Sequence, residues 1–174
     1  MKKSLVILLI IGVGGLLFFM RRDPLIEQAR QQIKETNYIK AVEVLKKKLE
    51  ASPHHIEAHQ LMAEALFSMK SYEAFLETAS HLKQLNKGKW EEFLARTAEA
   101  YYALGNQALQ NGGLEEAKTY FGKIRELGQA YPRHPVLMPW LAEAEAAMLN
   151  VGAKKRANVL DRFLKLEQVP PAGE

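Results

Sequence analysis

The apolar residues of this chain follow two patterns, one continuous and one periodic. From Ser4 to Met20 no charged side chain interrupts a run of largely apolar residues. After residue 22, apolar residues instead recur at steps of three and four, for example at Ile33, Tyr38, Val42, Leu45 and Leu49. Such steps are typical of amphipathic helices, and no later segment alternates with the period of two that half-buried strands show. The pattern predicts an all-α chain.

The continuous run predicts a membrane anchor. As a helix, Ser4–Met20 is about 26 Å long at about 1.5 Å per residue, near the short end of what a bilayer core of about 30 Å requires. Its basic flanks are Lys2, Lys3, Arg21 and Arg22. A cleaved secretory signal is the alternative, but no small-x-small cleavage motif follows the run. We therefore expect residues 1–22 to form an uncleaved N-terminal transmembrane helix.

The net charge of +4 belongs to these flanks, because the other basic residues equal the 20 acidic ones in number. The body therefore has little electrostatic support for binding nucleic acid. The triplets Lys46–Lys48 and Lys154–Arg156 could contact nucleic acid or anionic lipid. We interpret them as solvated helix faces, since each has acidic neighbours or occupies one turn. The absence of cysteine excludes disulfides, thiolate metal sites and cysteine nucleophiles.

Turn-forming residues divide residues 23–168 into helical segments. The breaks lie at Thr36-Asn37, Ser52-Pro53, Asn86 to Gly88, Asn111 to Gly113, Tyr131 to Pro135 and Gly152. About eight helices of roughly 13–22 residues fit between them. They include one long helix over Trp90–Gln110 and a final pair over Trp140–Leu149 and Ala153–Leu166. Residues 169–174 are expected to be a disordered tail.

A set of packing positions repeats along this body, with the same internal spacing in each copy. The first copy is Ala29, Tyr38, Ala41, Leu45 and Pro53; the second is Ala63, Tyr72, Phe75, Ala79 and Lys87; the third is Gly105, Leu114, Ala117, Phe121 and Gln129. Small residues allow two helices of a hairpin to approach, and large residues fill the adjacent space. The second copy exchanges the small and large positions, as if one packing volume were redistributed.

With Tyr101-x2-Leu104-Gly105 and Ala117-x3-Phe121, the chain resembles the tetratricopeptide repeat family. The resemblance implies a right-handed α-solenoid of antiparallel helix pairs, with three repeats and a degenerate capping pair. It also implies a concave surface, lined by the first helix of each repeat, that binds a protein or peptide. By their place in the repeat, the groove residues are Arg30, Lys34, Gln60, Glu64, Phe67, Tyr102, Asn106 and Leu109. Alternatively, Phe67, Tyr102 and Leu109 fill gaps between neighbouring repeats.

The histidine cluster His54, His55 and His59 is the main candidate for chemistry. His55 and His59 lie one helical turn apart and could share a zinc ion. The cluster lacks the glutamate of a zincin motif, so we interpret it as a turn between repeats. A metal-dependent enzyme or sensor remains a remote alternative. No other catalytic constellation occurs, and we predict no enzyme activity, cofactor, small-molecule substrate or nucleic-acid partner.

The leading functional hypothesis is a bacterial, membrane-tethered adaptor or scaffold that recruits a protein partner to a membrane or envelope complex. The alternative is a structural accessory subunit of a stable membrane complex. We expect a single-pass protein of the bacterial inner (cytoplasmic) membrane. Arg21 and Arg22 favour a cytoplasmic body, whereas the lysines ahead of the apolar run favour a periplasmic one. A basic start before an apolar run is the usual export layout, so we place the repeat domain on the periplasmic side.

Overall fold

The computed structural model describes residues 23–167, and within that range the chain forms helices and no strands. The helices are α1 Pro24–Lys34, α2 Tyr38–Ala51, α3 Ile56–Ser68, α4 Tyr72–Leu85, α5 Lys87–Glu91, α6 Leu94–Gln110, α7 Leu114–Ala130 and α8 Met138–Glu167. The all-α prediction is confirmed for this part of the chain. None of these helices is long and apolar enough to cross a membrane. The predicted anchor at 1–22 and the predicted tail at 169–174 lie outside the described residues.

The described residues fall into two compact units, divided between Lys89 and Trp90. In the N-terminal unit, α1 pairs with α2 and α3 pairs with α4, while α2 also packs on α3. In the C-terminal unit, α6 pairs with α7 and α7 pairs with α8. Each unit therefore consists of helices packed against their neighbours in sequence. The single repeat domain predicted over 23–168 stays a prediction.

Three hairpin turns share one hydrogen-bond pattern. The turn residues Thr36, Lys70 and Gly112 all have left-handed backbone conformation, with φ of 59°, 57° and 81°. The following N–H groups donate to carbonyls five residues back, from Asn37 to Gln32, from Ser71 to Leu66 and from Gly113 to Ala108, at 2.8, 3.0 and 2.8 Å. This pattern is the helix-terminating Schellman motif. Each turn falls at the same place in its copy of the sequence repeat, two positions before the second residue of the copy, which is Tyr38, Tyr72 or Leu114. The turns therefore follow the repeat frame.

The small and large positions of the repeat are the interior of each hairpin. In the N-terminal unit, Ala41, Leu45 and Phe75 are fully buried, and Ala79 is 1% exposed. In the C-terminal unit, a Cβ added to Gly105 would lie 2.5 Å from Cε1 of Phe121. The buried Phe121 ring therefore lies directly on the backbone of α6. The predicted packing of a large residue over a small one is present in this pair.

Asp23 begins α1 and joins it to the end of α2. One carboxylate oxygen, Oδ1, accepts a hydrogen bond from the backbone N–H of Leu25 at 3.0 Å. The other, Oδ2, lies 2.5 Å from the Nζ of Lys48. The hydrogen bond from Lys48, helped by backbone N–H groups of α1, lowers the pKa of Asp23 from 3.8, although partial burial opposes the shift. The carboxylate thus caps one helix while it pairs with the next.

The long helix predicted over Trp90–Gln110 is wrong. The chain leaves helix after Glu91, turns, and starts α6 at Leu94. Residues Lys87–Glu91 form the short helix α5, whose first turn is capped by Asn86. The Oδ1 of Asn86 accepts a hydrogen bond from the N–H of Lys89 at 3.0 Å. The break places the Trp90 ring against Tyr131, at the end of α7, with ring centroids 5.5 Å apart.

The predicted terminal helix pair is also wrong, because α8 runs without a break for 30 residues. Gly152 lies inside it. A single glycine costs a helix only about 1 kcal/mol relative to alanine, and no left-handed turn follows it as at Gly112. The first part of α8 packs closely on α7, where Leu141 covers Gly128. The capping element of the C-terminal unit is therefore one long helix.

Candidate functional site

An ion pair joins the first helices of the two N-terminal hairpins. The Nε of Arg30 on α1 donates to Oε1 of Glu57 on α3 at 3.1 Å, and its Nη2 contacts the same oxygen. The two side chains are 48% and 41% exposed. Such a solvated pair contributes little to stability. It shows instead that the exposed sides of α1 and α3 meet in one surface.

Four residues of α3 continue this surface toward the hairpin turn. Glu57, Gln60, Glu64 and Phe67 follow one another at steps of three and four, and so share one side of the helix. All four are half-buried. Lys34 extends the surface on α1, where it is exposed one turn after Arg30. Glu57 was missed by sequence reasoning, although its spacing from Gln60 could have indicated it.

Phe67 also packs within its own hairpin. Its ring lies edge-on to Phe75 and Tyr72 of α4, with centroids 5.2 and 5.9 Å away. One edge of the ring therefore belongs to the core, and the half-buried remainder lies at the surface. The residue fits both sequence interpretations: it fills space in the hairpin, and it offers apolar area at the end of the α1–α3 surface.

The three predicted groove residues of the C-terminal unit lie along α6. The Tyr102 hydroxyl donates to Oε2 of Glu143 on α8 at 3.2 Å. Its ring packs between Phe121 and Trp140, at 5.8 Å from each. These contacts favour the gap-filling interpretation of Tyr102, because it joins α6 to α7 and α8. One and two turns on, Asn106 and Leu109 are half-buried. Their part in a partner groove stays a prediction, as it does for the other predicted residues.

Two members of the histidine cluster, His55 and His59, have structural roles. Nδ1 of His55 accepts a hydrogen bond from the N–H of Ala58 at 3.2 Å and so caps α3. Nε2 of His59 lies 2.8 Å from the carbonyl oxygen of Pro53, to which it donates, and its buried Nδ1 has no partner. Within residues 23–167, no three histidine, aspartate or glutamate side chains are placed to hold a metal ion. The hypothesis of a metal site at His54, His55 and His59 is therefore not retained.

Two surface depressions lie in the N-terminal unit. A cavity of about 340 Å³ is bordered by Leu49, Pro53, His54, His59, His81, Gln84 and Leu85. Across it, the rings of His59 and His81 stack with centroids 6.2 Å apart. A shallower groove of about 640 Å³ follows the hairpin turns and contains Ile39 and Met69. These two side chains are 65% and 36% exposed, an unusual degree for large apolar residues next to each other.

Residues 32–96 match the tetratricopeptide repeat family. Over that range, the chain is similar to tetratricopeptide repeat proteins. The match covers the helices that carry Gln60, Glu64 and Phe67, and it agrees with the repeated turns at Thr36 and Lys70. The chain is also similar to a solved structure described as the crystal structure of PcrH in complex with the chaperone binding region of PopD. Identity is 22%, coverage is 75% of this chain and 90% of that one, and the TM-score is 0.43. A comparison with curated proteins gives no match.

Proposed function

We propose that this tetratricopeptide protein is a membrane-tethered adaptor that binds a protein or peptide partner through the α1–α3 surface. The observation that carries the proposal is the Arg30–Glu57 pair, which makes the exposed sides of two consecutive first helices continuous. In the C-terminal unit, Asn106 and Leu109 hold the corresponding positions on α6 and extend the set of candidate contacts.

The chemistry of the surface indicates the kind of partner. Cations lie on α1, at Arg30 and Lys34, whereas carboxylates lie on α3, at Glu57 and Glu64. Phe67 adds apolar area at one end. A helical or extended segment with an apolar anchor and charges of both signs suits such a surface. Exposed charges govern the association rate and the choice of partner, and the apolar anchor contributes most of the affinity.

The tether is supported by sequence alone. A continuous apolar run that is flanked by all of the chain's excess positive charge is typical of a transmembrane helix. An adaptor held in this way searches for its client in two dimensions, which raises the effective concentration of the pair. We propose the inner membrane as its location, with the repeat units on the periplasmic side. Extraction at alkaline pH and a reporter fused after Glu174 test these two statements separately.

Photo-crosslinking from the α1–α3 surface tests the binding proposal. A photoreactive residue at Glu64 in the full-length chain should capture a discrete partner in native membranes. The same residue at Glu77, which is exposed on the second helix of the same hairpin, serves as the matched control. With the photoreactive residue kept at position 64, Arg30→Glu should abolish the crosslinked product, and Glu77→Lys should leave it unchanged. Equal products from both positions, or none from position 64, would refute binding at this surface.

A second candidate function is a structural subunit of a stable membrane complex. The exposed pair Ile39 and Met69 favours it, since apolar residues grouped in a groove often mark a permanent contact. In that case the chain extracted in mild detergent should migrate as a large complex of fixed stoichiometry. Ile39→Asp should release the free chain. A complex that is absent from the wild-type extract would rule this candidate out.

A further inference from the structure

In the C-terminal unit, α6 and α8 meet in the same way as α1 and α3 meet in the N-terminal unit. Both helices pack on α7, which lies between them in sequence, and they also contact each other directly. Tyr102 makes that direct contact: its hydroxyl donates to Oε2 of Glu143, and its ring centroid lies 5.8 Å from that of Trp140. Tyr102 therefore fills the gap between the two helices and joins their outer sides into one surface.

The residues beside this contact are three or four positions apart along each helix, so each set lies on one side of its helix. We define the α6–α8 surface by Glu99, Tyr102 and Asn106 on α6 and by Trp140, Glu143 and Ala147 on α8. Glu143 is exposed, and the other five residues are half-buried. The surface therefore combines aromatic, amide and carboxylate side chains that solvent reaches.

The charges on this surface are all negative. Its two charged residues are Glu99 and Glu143, and neither carboxylate forms an ion pair with another residue that the structure describes. The sequence of α6 contains one basic residue, Arg96, whose guanidinium carbon lies 5.5 Å from the centroid of the Phe93 ring. The sequence of α8 contains no basic residue before position 154. The α6–α8 surface thus differs from the α1–α3 surface, which carries cations as well as carboxylates.

The Glu143 carboxylate can bind a further donor while it accepts the hydrogen bond from Tyr102. That bond uses one of its oxygens, and an ionised carboxylate accepts up to about four hydrogen bonds. An arginine guanidinium donates two parallel hydrogen bonds to a carboxylate and also stacks on aromatic rings. The faces of tyrosine and tryptophan attract cations as well. Carboxylates beside Tyr102 and Trp140 therefore favour arginine as the contacting residue.

We propose that the α6–α8 surface binds a segment of the protein partner that presents an arginine to Glu143 and Glu99. The inference rests on the proposed function, in which the C-terminal unit extends the contacts with the partner. Phosphate groups of lipid or nucleic acid would be repelled by the two carboxylates. A purely apolar segment would bury the Glu143 charge unpaired, which is costly. A second copy of this chain offers Arg30, but Glu57 already accepts from that guanidinium.

Photo-crosslinking in native membranes identifies the segment. A photoreactive residue at position 106 of the full-length chain should capture a protein, and mass spectrometry of the crosslinked peptide should find an arginine within a few residues of the crosslink. The same photoreactive residue at Glu145 is the matched control. Glu145 is exposed on α8, about 160° round the helix from Glu143, and should not capture that protein. A captured segment without arginine, or capture of a second copy of this chain, would overturn the proposal.

The captured segment, synthesised with a fluorophore, then measures the contact by anisotropy with full-length chain in mild detergent. Glu143→Gln should lower the affinity about fivefold, the upper range for an exposed ion pair, while its amide oxygen still accepts from Tyr102. Replacing the arginine of the segment by glutamine should cause the same loss, and both changes together should cost no more than either alone. Glu145→Gln should have no effect. Losses that add, or a Glu143→Gln chain that binds like wild type, would refute the contact.

The results from two crosslinking positions separate this inference from the proposed function. A product from position 64 and none from position 106 would refute the inference and leave binding at the α1–α3 surface intact. A product from position 106 and none from position 64 would refute binding at the α1–α3 surface, and the affinity measurement would then decide the arginine contact. No product from either position would refute both.

Discussion

Gly105 offers a direct test of the packing inside the α6–α7 hairpin of the C-terminal unit. Alanine is the better helix former by about 1 kcal/mol, so propensity alone predicts that Gly105→Ala stabilises α6. The structure predicts the opposite. The new Cβ would lie 2.5, 2.8 and 2.9 Å from three carbons of the Phe121 ring. Unstrained carbon contacts lie at about 3.5–4.0 Å.

The overlap of about 1 Å cannot be relieved by a small movement, because the rigid Phe121 ring is fully buried. Overpacking of this kind costs about 1–3 kcal/mol, and the gain in propensity returns about 1 kcal/mol. We expect Gly105→Ala to lower the free energy of unfolding by up to about 2 kcal/mol. Gly122 on α7 is the matched control, since a Cβ added there would meet nothing within 4 Å. Gly122→Ala should stabilise by up to about 1 kcal/mol.

Urea unfolding followed by tryptophan fluorescence measures both variants. The chain has two tryptophans, and both Trp90 and Trp140 lie in the unit that contains the two glycines. Adding Phe121→Leu to Gly105→Ala should recover part of the loss, because a smaller side chain makes room for the Cβ. If Gly105→Ala were as stable as Gly122→Ala, the ring must move freely, and the close-packing argument would be refuted.

Three further predictions concern the N-terminal unit and the hairpin turns. Lys48 lowers the pKa of Asp23, so their pairing stabilises the fold above about pH 4, and this stabilisation is lost as the pH falls through the lowered pKa. Asp23→Asn should therefore be less stable than wild type at pH 7. Thermal unfolding should show that this difference in stability shrinks toward pH 3. His55→Ala should cost about 1 kcal/mol through loss of the α3 cap, whereas His55→Asn should retain it; equal urea midpoints for the two would contradict the cap. Thr36→Gly should stabilise and Gly112→Ala destabilise, by about 1 kcal/mol each, because both positions have left-handed φ; calorimetric melting temperatures that move in the same direction would argue against this.

Much of the local structure could be predicted from spacing alone. The small and large positions at Ala41, Leu45 and Phe75 identify the buried side of each helix, because burial in a hairpin requires apolar residues at steps of three and four. The turns at Thr36 and Gly112 fall at predicted breaks, whereas the turn at Lys70 was not among them, although it holds the same place in its copy of the repeat. The similarity of residues 32–96 to the tetratricopeptide repeat family agrees with that spacing.

The breaks and partners were harder to predict, because they depend on residues distant in sequence. No turn-forming residue in the sequence marks the interruption before Leu94. At this interruption, Trp90 contacts Tyr131, which lies at the far end of α7. Gly152 has the composition of a break, yet its small cost does not end a helix. For the candidate site, spacing placed Gln60, Glu64 and Phe67 on one side of α3. Spacing could not reveal that Tyr102 would contact Glu143 and Trp140 on α8.

By itself, then, the sequence determined the helical class, the repeat frame, the interior side of each hairpin and the concentration of excess charge around residues 4–20. These depend on periodicity and composition, which can be observed without knowing any distance. Only the tertiary structure decided that Arg30 pairs with Glu57, that the histidines serve as a cap and a stacked pair, and that α8 extends beyond α7. Those outcomes depend on which helices pack together and on their lengths, since contacts between segments follow from three-dimensional packing rather than from the spacing within any one helix.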